Sequence, residues 1–168
     1  CVDHGAYGSV WLVKPNSSGF VARKKISLAA AAATGKLKSL KLEISGLMLL
    51  SNHPSFPMFY NCSHDNEYLY LDMEMMTGGS LADFIDAFAP LSINVTRHFS
   101  AQLLCGIEYM GQNDLVHCDL SARNVMLTQD GRIKIIDFGY MVKSGERCPF
   151  EMSGSLNWFA PEARDSPM

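Results

Sequence analysis

The chain has 168 residues, 48% of them hydrophobic and 18% charged, with a formal net charge of −3. That balance belongs to an ordinary globular domain, and a chain of this length can bury about 70% of its unfolded surface. Its 14 Lys+Arg are scattered rather than striped, which excludes a nucleic-acid-binding polycation, and no apolar run approaches the roughly 18 residues of a membrane helix.

Residues 1–27 read as strands, with β-favouring Val10, Leu12 and Phe20 to Ile26 around a turn at Pro15-Asn16-Ser17-Ser18-Gly19. Ala29 to Ala33 is a short low-complexity run. Lys36 to Ser51 has Leu37, Leu40, Ile44 and Leu47 at three- and four-residue spacing and predicts a helix. Gly46 inside it costs up to about 1 kcal/mol relative to alanine, so that helix is expected to be soft. Glu67 to Met76 alternates as a strand does, with Tyr68, Tyr70 and Asp72 against Leu69, Leu71 and Met73. Ser80 is an expected N-cap for the following helix. Ile93 to Met110 reads as a long, largely buried helix through Phe99, Leu103, Leu104 and Ile107. Val125 to Leu127 and Arg132 to Ile136 bracket a hairpin signal at Gln129-Asp130-Gly131.

The five cysteines, Cys1, Cys62, Cys105, Cys118 and Cys148, show neither metal-ligand spacing nor a disulfide framework. That pattern points to a reducing, intracellular and cytoplasmic setting.

The chemistry concentrates in His117-Cys118-Asp119-Leu120-Ser121-Ala122-Arg123-Asn124 and in Asp137-Phe138-Gly139. These segments supply a carboxylate able to take a hydroxyl proton and oxygen donors of the kind Mg²⁺ prefers. Upstream, Gly5-Ala6-Tyr7-Gly8-Ser9-Val10 offers main-chain amides without intervening side chains, and Val21-Ala22-Arg23-Lys24 offers an ammonium. Ala160-Pro161-Glu162 follows downstream. Each piece alone is a weak signal, but the ordered set matches the protein-kinase signature.

The chain therefore resembles a eukaryotic-type protein kinase catalytic domain over nearly all its length. The resemblance implies an α+β, bilobal fold: a small β-rich N-lobe with one main helix, then a truncated, mainly helical C-lobe. It implies an N-lobe over residues 1–73, a hinge over 74–79 and a partial C-lobe over 80–168. ATP and Mg²⁺ are the implied cofactors, and a protein is the implied substrate; oligomeric state is left open.

Residue by residue, the resemblance makes Asp119 the base or the group orienting the acceptor hydroxyl, and Arg123 a partner for phosphoryl charge. Asn124 and Asp137 become metal ligands. Gly5 and Gly8 cradle phosphates, although Asp3 stands where the family has its first glycine. Lys24 contacts phosphates and pairs with Glu43. Met73 guards the adenine pocket, Glu74 to Met76 form the hinge, and Val10, Ala22 and Met126 sandwich the ring. His117, Phe138, Leu47 and Phe59 match a packed column, with His117 read as a hydrogen-bonded core histidine.

Cys118 stands where arginine often grips an activation-segment phosphate; it brings no fixed positive charge. Phosphorylation at Ser144, Ser153 or Ser155 is thus not expected to be read through it.

Acceptor specificity stays divided. Arg123 in Asp-Leu-Ser-Ala-Arg-Asn looks tyrosine-kinase-like, while Gly154-Ser155-Leu156-Asn157-Trp158 resembles the serine/threonine pattern, as do hinge features similar to kinases of mitogen-activated cascades. Serine/threonine transfer is favoured, with tyrosine or dual specificity as the alternative. A non-catalytic nucleotide-binding or scaffolding relative is the reading from another class. The chain begins at Cys1 in the glycine loop and ends soon after Ala160-Pro161-Glu162. An incomplete domain is expected, with weak turnover and poor solubility.

Overall fold

The structure, a computed structural model, describes residues 3–5, 8–14, 19–35 and 37–146, with side chains from residue 9 onward. Expectations placed on Cys1, Ala6, Tyr7, Pro15 to Ser18, Lys36, Cys148, Ser153 to Trp158 and Ala160 to Glu162 lie outside the described residues, as does the side chain of Asp3.

The β-favouring opening forms β1 (Asp3–Gly5), β2 (Gly8–Val13) and β3 (Val21–Ser27). With β4 (Phe59–His64) and β5 (Tyr68–Met73) they make a five-stranded antiparallel sheet of order β1-β2-β3-β5-β4. Val10 and Leu71 both lie opposite Lys24, and Ala22 lies opposite Met73. Because strand side chains alternate, Val10, Ala22, Lys24, Leu71 and Met73 share one face. Trp11, Arg23 and Asp72 occupy the other. There the Arg23 guanidinium donates to both Asp72 carboxylate oxygens at 2.7 and 2.8 Å. That fork satisfies a carboxylate only 6% exposed.

The alanine run is a helix, α1 (Leu28–Ala33), which periodicity could not show in so short a segment. Ser27 caps it, its hydroxyl accepting from the Ala30 amide at 3.2 Å, and alanine has the highest helix propensity. The expected longer helix is α2 (Leu37–Leu50). Gly46 is a packing requirement there. A Cβ at Gly46 would sit 2.7 Å from the Cβ of Phe138, a ring with no exposed surface.

The second half begins with α3 (Leu81–Phe88) and α4 (Ile93–Gln112). Ser80 caps α3 in a reciprocal box: its hydroxyl accepts from the Asp83 amide at 3.1 Å, and Asp83 accepts from the Ser80 amide at 2.9 Å. Then follow β6 (Leu115–Val116), a tight turn Ala122–Asn124, β7 (Val125–Leu127), β8 (Ile133–Ile135) and β9 (Val142–Lys143). β7 pairs with β8 across the expected turn, where Gly131 takes φ 78° and the Thr128 amide donates to the Arg132 carbonyl at 2.8 Å. β6 pairs with β9.

One expectation is corrected. α4 is not largely buried: Phe99, Gly106 and Met110 are, whereas Leu104 is 64% exposed and Ile107 41%. Helical spacing identified an apolar set wider than the stripe that packs.

The core joins the two halves. Ile26, Leu69 and Leu71 of the sheet and Leu47 and Leu50 of α2 pack with Met110, Ile135 and Phe138. The segment between α2 and β4 locks this joint, for the Ile135 amide donates to the Ser55 carbonyl at 2.8 Å. Phe56, 1% exposed, lies 5.9 Å from the Phe138 ring. The expected α+β architecture is what forms: a β-rich first half with α2 as its main helix, then helices and short hairpins.

Candidate active site

β3 aims Lys24 at the helix beside it. Its ammonium forms an ion pair with Glu43 of α2, with 30% of the Lys24 side chain and 13% of the Glu43 side chain exposed. Burial pulls the Lys24 pKa down, but the charges of Glu43 and Asp137 outweigh it and leave the ammonium above its ordinary value. Two elements distant in sequence thus bring carboxylates to one cation.

The loop after β6 is organised by His117, which is 7% exposed. Its Nε2 lies 3.0 Å from the Ile136 carbonyl, and its Nδ1 lies 3.2 Å from the Asp119 amide. A carbonyl accepts and an amide donates, so the ring is the neutral tautomer with the proton on Nε2. Burial pushes its pKa below the usual histidine value. His117 therefore links Asp119 to the residue before Asp137, and its ring meets Phe138 edge-on at 5.6 Å. The packed column also receives Leu47, with Phe59 partly buried against the same core.

Asn124 closes the loop from the other side. Its Nδ2 donates to the Asp119 carbonyl at 2.8 Å and to Asp119 Oδ2 at 2.9 Å. Burial raises the Asp119 carboxyl above the ordinary carboxylate range and the charge of Asp137 adds to this; Asn124 and His117 pull the other way. Cys118 and Asp137 both adopt left-handed backbone, at φ 63° and 66°. That conformation is costly for non-glycine residues and concentrates at functional sites.

Asp137 and Asn124 suit a hard cation. With Nδ2 committed to Asp119, the amide atom of Asn124 able to ligate is its oxygen. A carboxylate plus one amide oxygen is a set that Mg²⁺ completes with phosphates and water. Among the described residues no group of three or more His, Cys, Asp or Glu forms a self-sufficient metal cage.

The adenine-side candidates lie on β2, β3, β5, the strap after β5, and β7. Ala22 is 5% exposed, while Val10, Met73, Glu74, Met76 and Met126 are half-buried. Ser80 and Met126 form a β-bridge, and the Gly78 amide donates to the Leu127 carbonyl at 3.0 Å, so the strap after β5 is stitched to β7. The Glu74 amide already donates to the Met58 carbonyl at 2.8 Å. That commitment leaves the Glu74 carbonyl, not its amide, as the backbone group it could offer a ligand. Gly5 and Gly8 face one another across β1 and β2.

Arg123 belongs to the tight turn Ala122–Asn124. It is exposed in the tight turn before β7, and the acid its charge acts on is Asp83 at the start of α3.

Three contributors escaped the sequence reading. Lys134 on β8 pairs with the Glu74 side chain at 2.7 Å and donates to the Phe56 carbonyl at 3.0 Å, bracing the strap from behind. Ser39 on α2 donates to the Gly139 carbonyl at 2.8 Å. No local pattern marks either, since each partner is remote in sequence. The third is the bond at Cys118: the residue is disulfide-bonded although the cysteine spacing shows no disulfide framework. Cys62 and Cys105 are free thiols. Spacing failed because a single bridge leaves no framework to read. Cys118 offers no cation to a phosphate, and Ser144, exposed in the turn after β9, has none from it.

A family profile described as protein kinase domain matches residues 2–166. The human protein "cAMP-dependent protein kinase catalytic subunit PRKX" is 31% identical over 166 residues, covering 98% of this chain and 46% of that protein. "Mitogen-activated protein kinase kinase kinase ANP1" of Arabidopsis thaliana is 29% identical, over 96% of this chain and 26% of that one. "Serine/threonine-protein kinase PLK4" of Xenopus tropicalis is 32% identical, over 94% and 17%. The chain thus spans less than half the length of these relatives. Among solved structures, Rad53 1-466 in complex with AMP-PNP superposes with a TM-score of 0.76 and 30% identity, covering 82% of this chain and 37% of that one. With the family profile matched almost end to end and the fold shared, the chain belongs to the protein kinase family.

Proposed function

We propose that this protein transfers the γ-phosphoryl group of ATP to a serine or threonine hydroxyl of a protein substrate. The observation that carries the reading is the convergence of Lys24 and Glu43 with Asp137, whose charge also acts on Asp119. Three separate elements bring a cation, a metal-type carboxylate and a proton acceptor to one place. Relatives named as serine/threonine kinases support the acceptor class.

In the proposed reaction the substrate hydroxyl oxygen bonds to the γ-phosphorus as the bond to the β–γ bridging oxygen breaks, releasing ADP. Asp119 receives the hydroxyl proton, and its raised pKa makes it a better acceptor than an ordinary carboxylate. Asn124 and the His117–amide contact hold that carboxylate in place. Lys24, oriented by Glu43, offers its ammonium to the phosphates. Val10, Ala22, Met73, Met76 and Met126 give the adenine an apolar bed, with the Glu74 carbonyl as acceptor. Bound through Asp137 and the Asn124 oxygen, Mg²⁺ would neutralise phosphate charge. Gly5 and Gly8 would admit phosphates to the main chain, and Arg123 would serve substrate-side charge.

The N-lobe, hinge and C-lobe divisions at residues 1–73, 74–79 and 80–168 are part of this proposal. So is a cytoplasmic location.

The test is label transfer from γ-labelled ATP to a protein acceptor, followed by phosphoamino-acid analysis. Phosphoserine or phosphothreonine that disappears in Asp119→Asn is the expected result. Phosphotyrosine would move the acceptor class, and label unaffected by the substitution would reject Asp119. Nucleotide binding without transfer in the unaltered protein would favour the non-catalytic reading.

A further inference from the structure

Helix α2 carries Glu43, and the segment after β8 carries Asp137; how the two are held relative to one another decides whether Lys24 sees both. Contacts on one face of α2 make that connection. Gly46 lies against Phe138 so closely that even a methyl group would collide, at 2.7 Å. Leu47, 3% exposed, belongs to the same core as Phe138. These contacts are apolar, and dispersion has little directional preference.

The directional contact is Ser39. Its hydroxyl donates to the Gly139 carbonyl at 2.8 Å, across 100 residues of sequence. Ser39 precedes Glu43 by four residues, one helical turn, so both project from the same side of α2. A Cβ on Gly139 would stand 2.8 Å from the Ser39 hydroxyl oxygen and 3.3 Å from Asp137 Oδ1. Gly139 thus lies close to both. The Gly139 amide in turn donates to Asp137 Oδ1 at 3.3 Å. A continuous path runs from the helix hydroxyl through the Gly139 peptide units to the carboxylate.

We propose that Ser39 is a positioning residue that fixes the Asp137 carboxylate relative to the Lys24–Glu43 pair by holding the Gly139 carbonyl. It touches neither nucleotide nor acceptor. Its effect appears in how well Asp137 engages Mg²⁺, and in this respect the inference rests on the proposed function.

The experiment compares the unaltered protein with Ser39→Ala and Ser39→Thr, using Asp119→Asn as the chemistry control. Three quantities are read: the Mg²⁺ concentration for half-maximal label transfer, ATP affinity with and without Mg²⁺, and amide exchange across residues 137–141 without nucleotide. Ser39→Ala is expected to raise the half-saturating Mg²⁺ concentration about fivefold, to weaken ATP binding only when Mg²⁺ is present, and to speed exchange about fivefold. KM for the protein acceptor should stay put, and Ser39→Thr, which keeps the hydroxyl, should restore all three. A general loss of packing would instead weaken ATP binding equally with and without Mg²⁺ and would not be rescued by threonine; that result overturns the proposal. So does unchanged exchange in Ser39→Ala. Failure of the unaltered protein to transfer label would count against the kinase reading alone, because exchange needs neither nucleotide nor turnover.

Discussion

Two residues at the site have their charged forms disfavoured by burial. The Asp119 carboxyl is raised by burial and by the facing charge of Asp137. Its ionised form is thus disfavoured by folding near neutral pH, and Asp119→Asn removes that penalty while keeping an oxygen for the Asn124 Nδ2. We expect label transfer to fall by at least about a thousandfold and the melting temperature to hold or rise by up to a few degrees. A calorimetric scan showing a large loss of Tm would contradict this. His117 runs the other way. Folding lowers its pKa, so the unfolded chain binds more protons over the window below 6.5. Stability from keeping the ring neutral is present above that pH and is lost as pH falls beneath it. A His117→Gln variant, with no proton to gain, should show a flatter dependence of Tm on pH between about 6.5 and 5.

Helix α2 and the Asp137-Phe138-Gly139 segment were legible separately, one from apolar spacing and the other from its motif. Their mutual fit was not, because it depends on the absent side chain at Gly46 and on one hydroxyl at Ser39. Propensity alone would make Gly46→Ala stabilising by up to about 1 kcal/mol. The 2.7 Å approach to a fully buried Phe138 reverses the sign. Overpacking of that kind costs roughly 1–3 kcal/mol. We expect chemical denaturation of Gly46→Ala to show a net loss; a net gain would mean the helix can withdraw from Phe138 freely. Ser80 and the Gln129-Asp130-Gly131 turn were readable because their partners are local. α1 was missed since six residues carry too little periodicity, and α4 was over-read because spacing cannot say which neighbours cover Leu104 and Ile107.

At the scale of the whole molecule, the two halves are joined by the core around Phe138 and by polar braces. Lys134 and Glu74 form one such brace, with 12% and 27% of their side chains exposed. Replacing Lys134 with methionine leaves the Glu74 carboxylate and the Phe56 carbonyl without that partner. A loss of about 1–3 kcal/mol in stability is expected, together with weaker ATP binding as the strap behind Glu74 loosens. Denaturant titration and nucleotide titration check the two effects; unchanged ATP affinity would show that the strap holds without the brace. Motif residues made the site's chemistry legible from sequence, since Lys24, Asp119, Asn124 and Asp137 each occupy a recognisable short pattern. Lys134 was not, for it acts through partners that only the fold brings near.

ATP affinity measured by calorimetric titration, with and without saturating Mg²⁺, in the unaltered protein and in Asp137→Asn, tests most directly whether these groups form one nucleotide site. The account expects Mg²⁺ to tighten binding at least about tenfold in the unaltered protein, and that gain to vanish when the Asp137 carboxylate becomes an amide. Equal affinity with and without Mg²⁺, or a Mg²⁺ gain that survives the substitution, would contradict it.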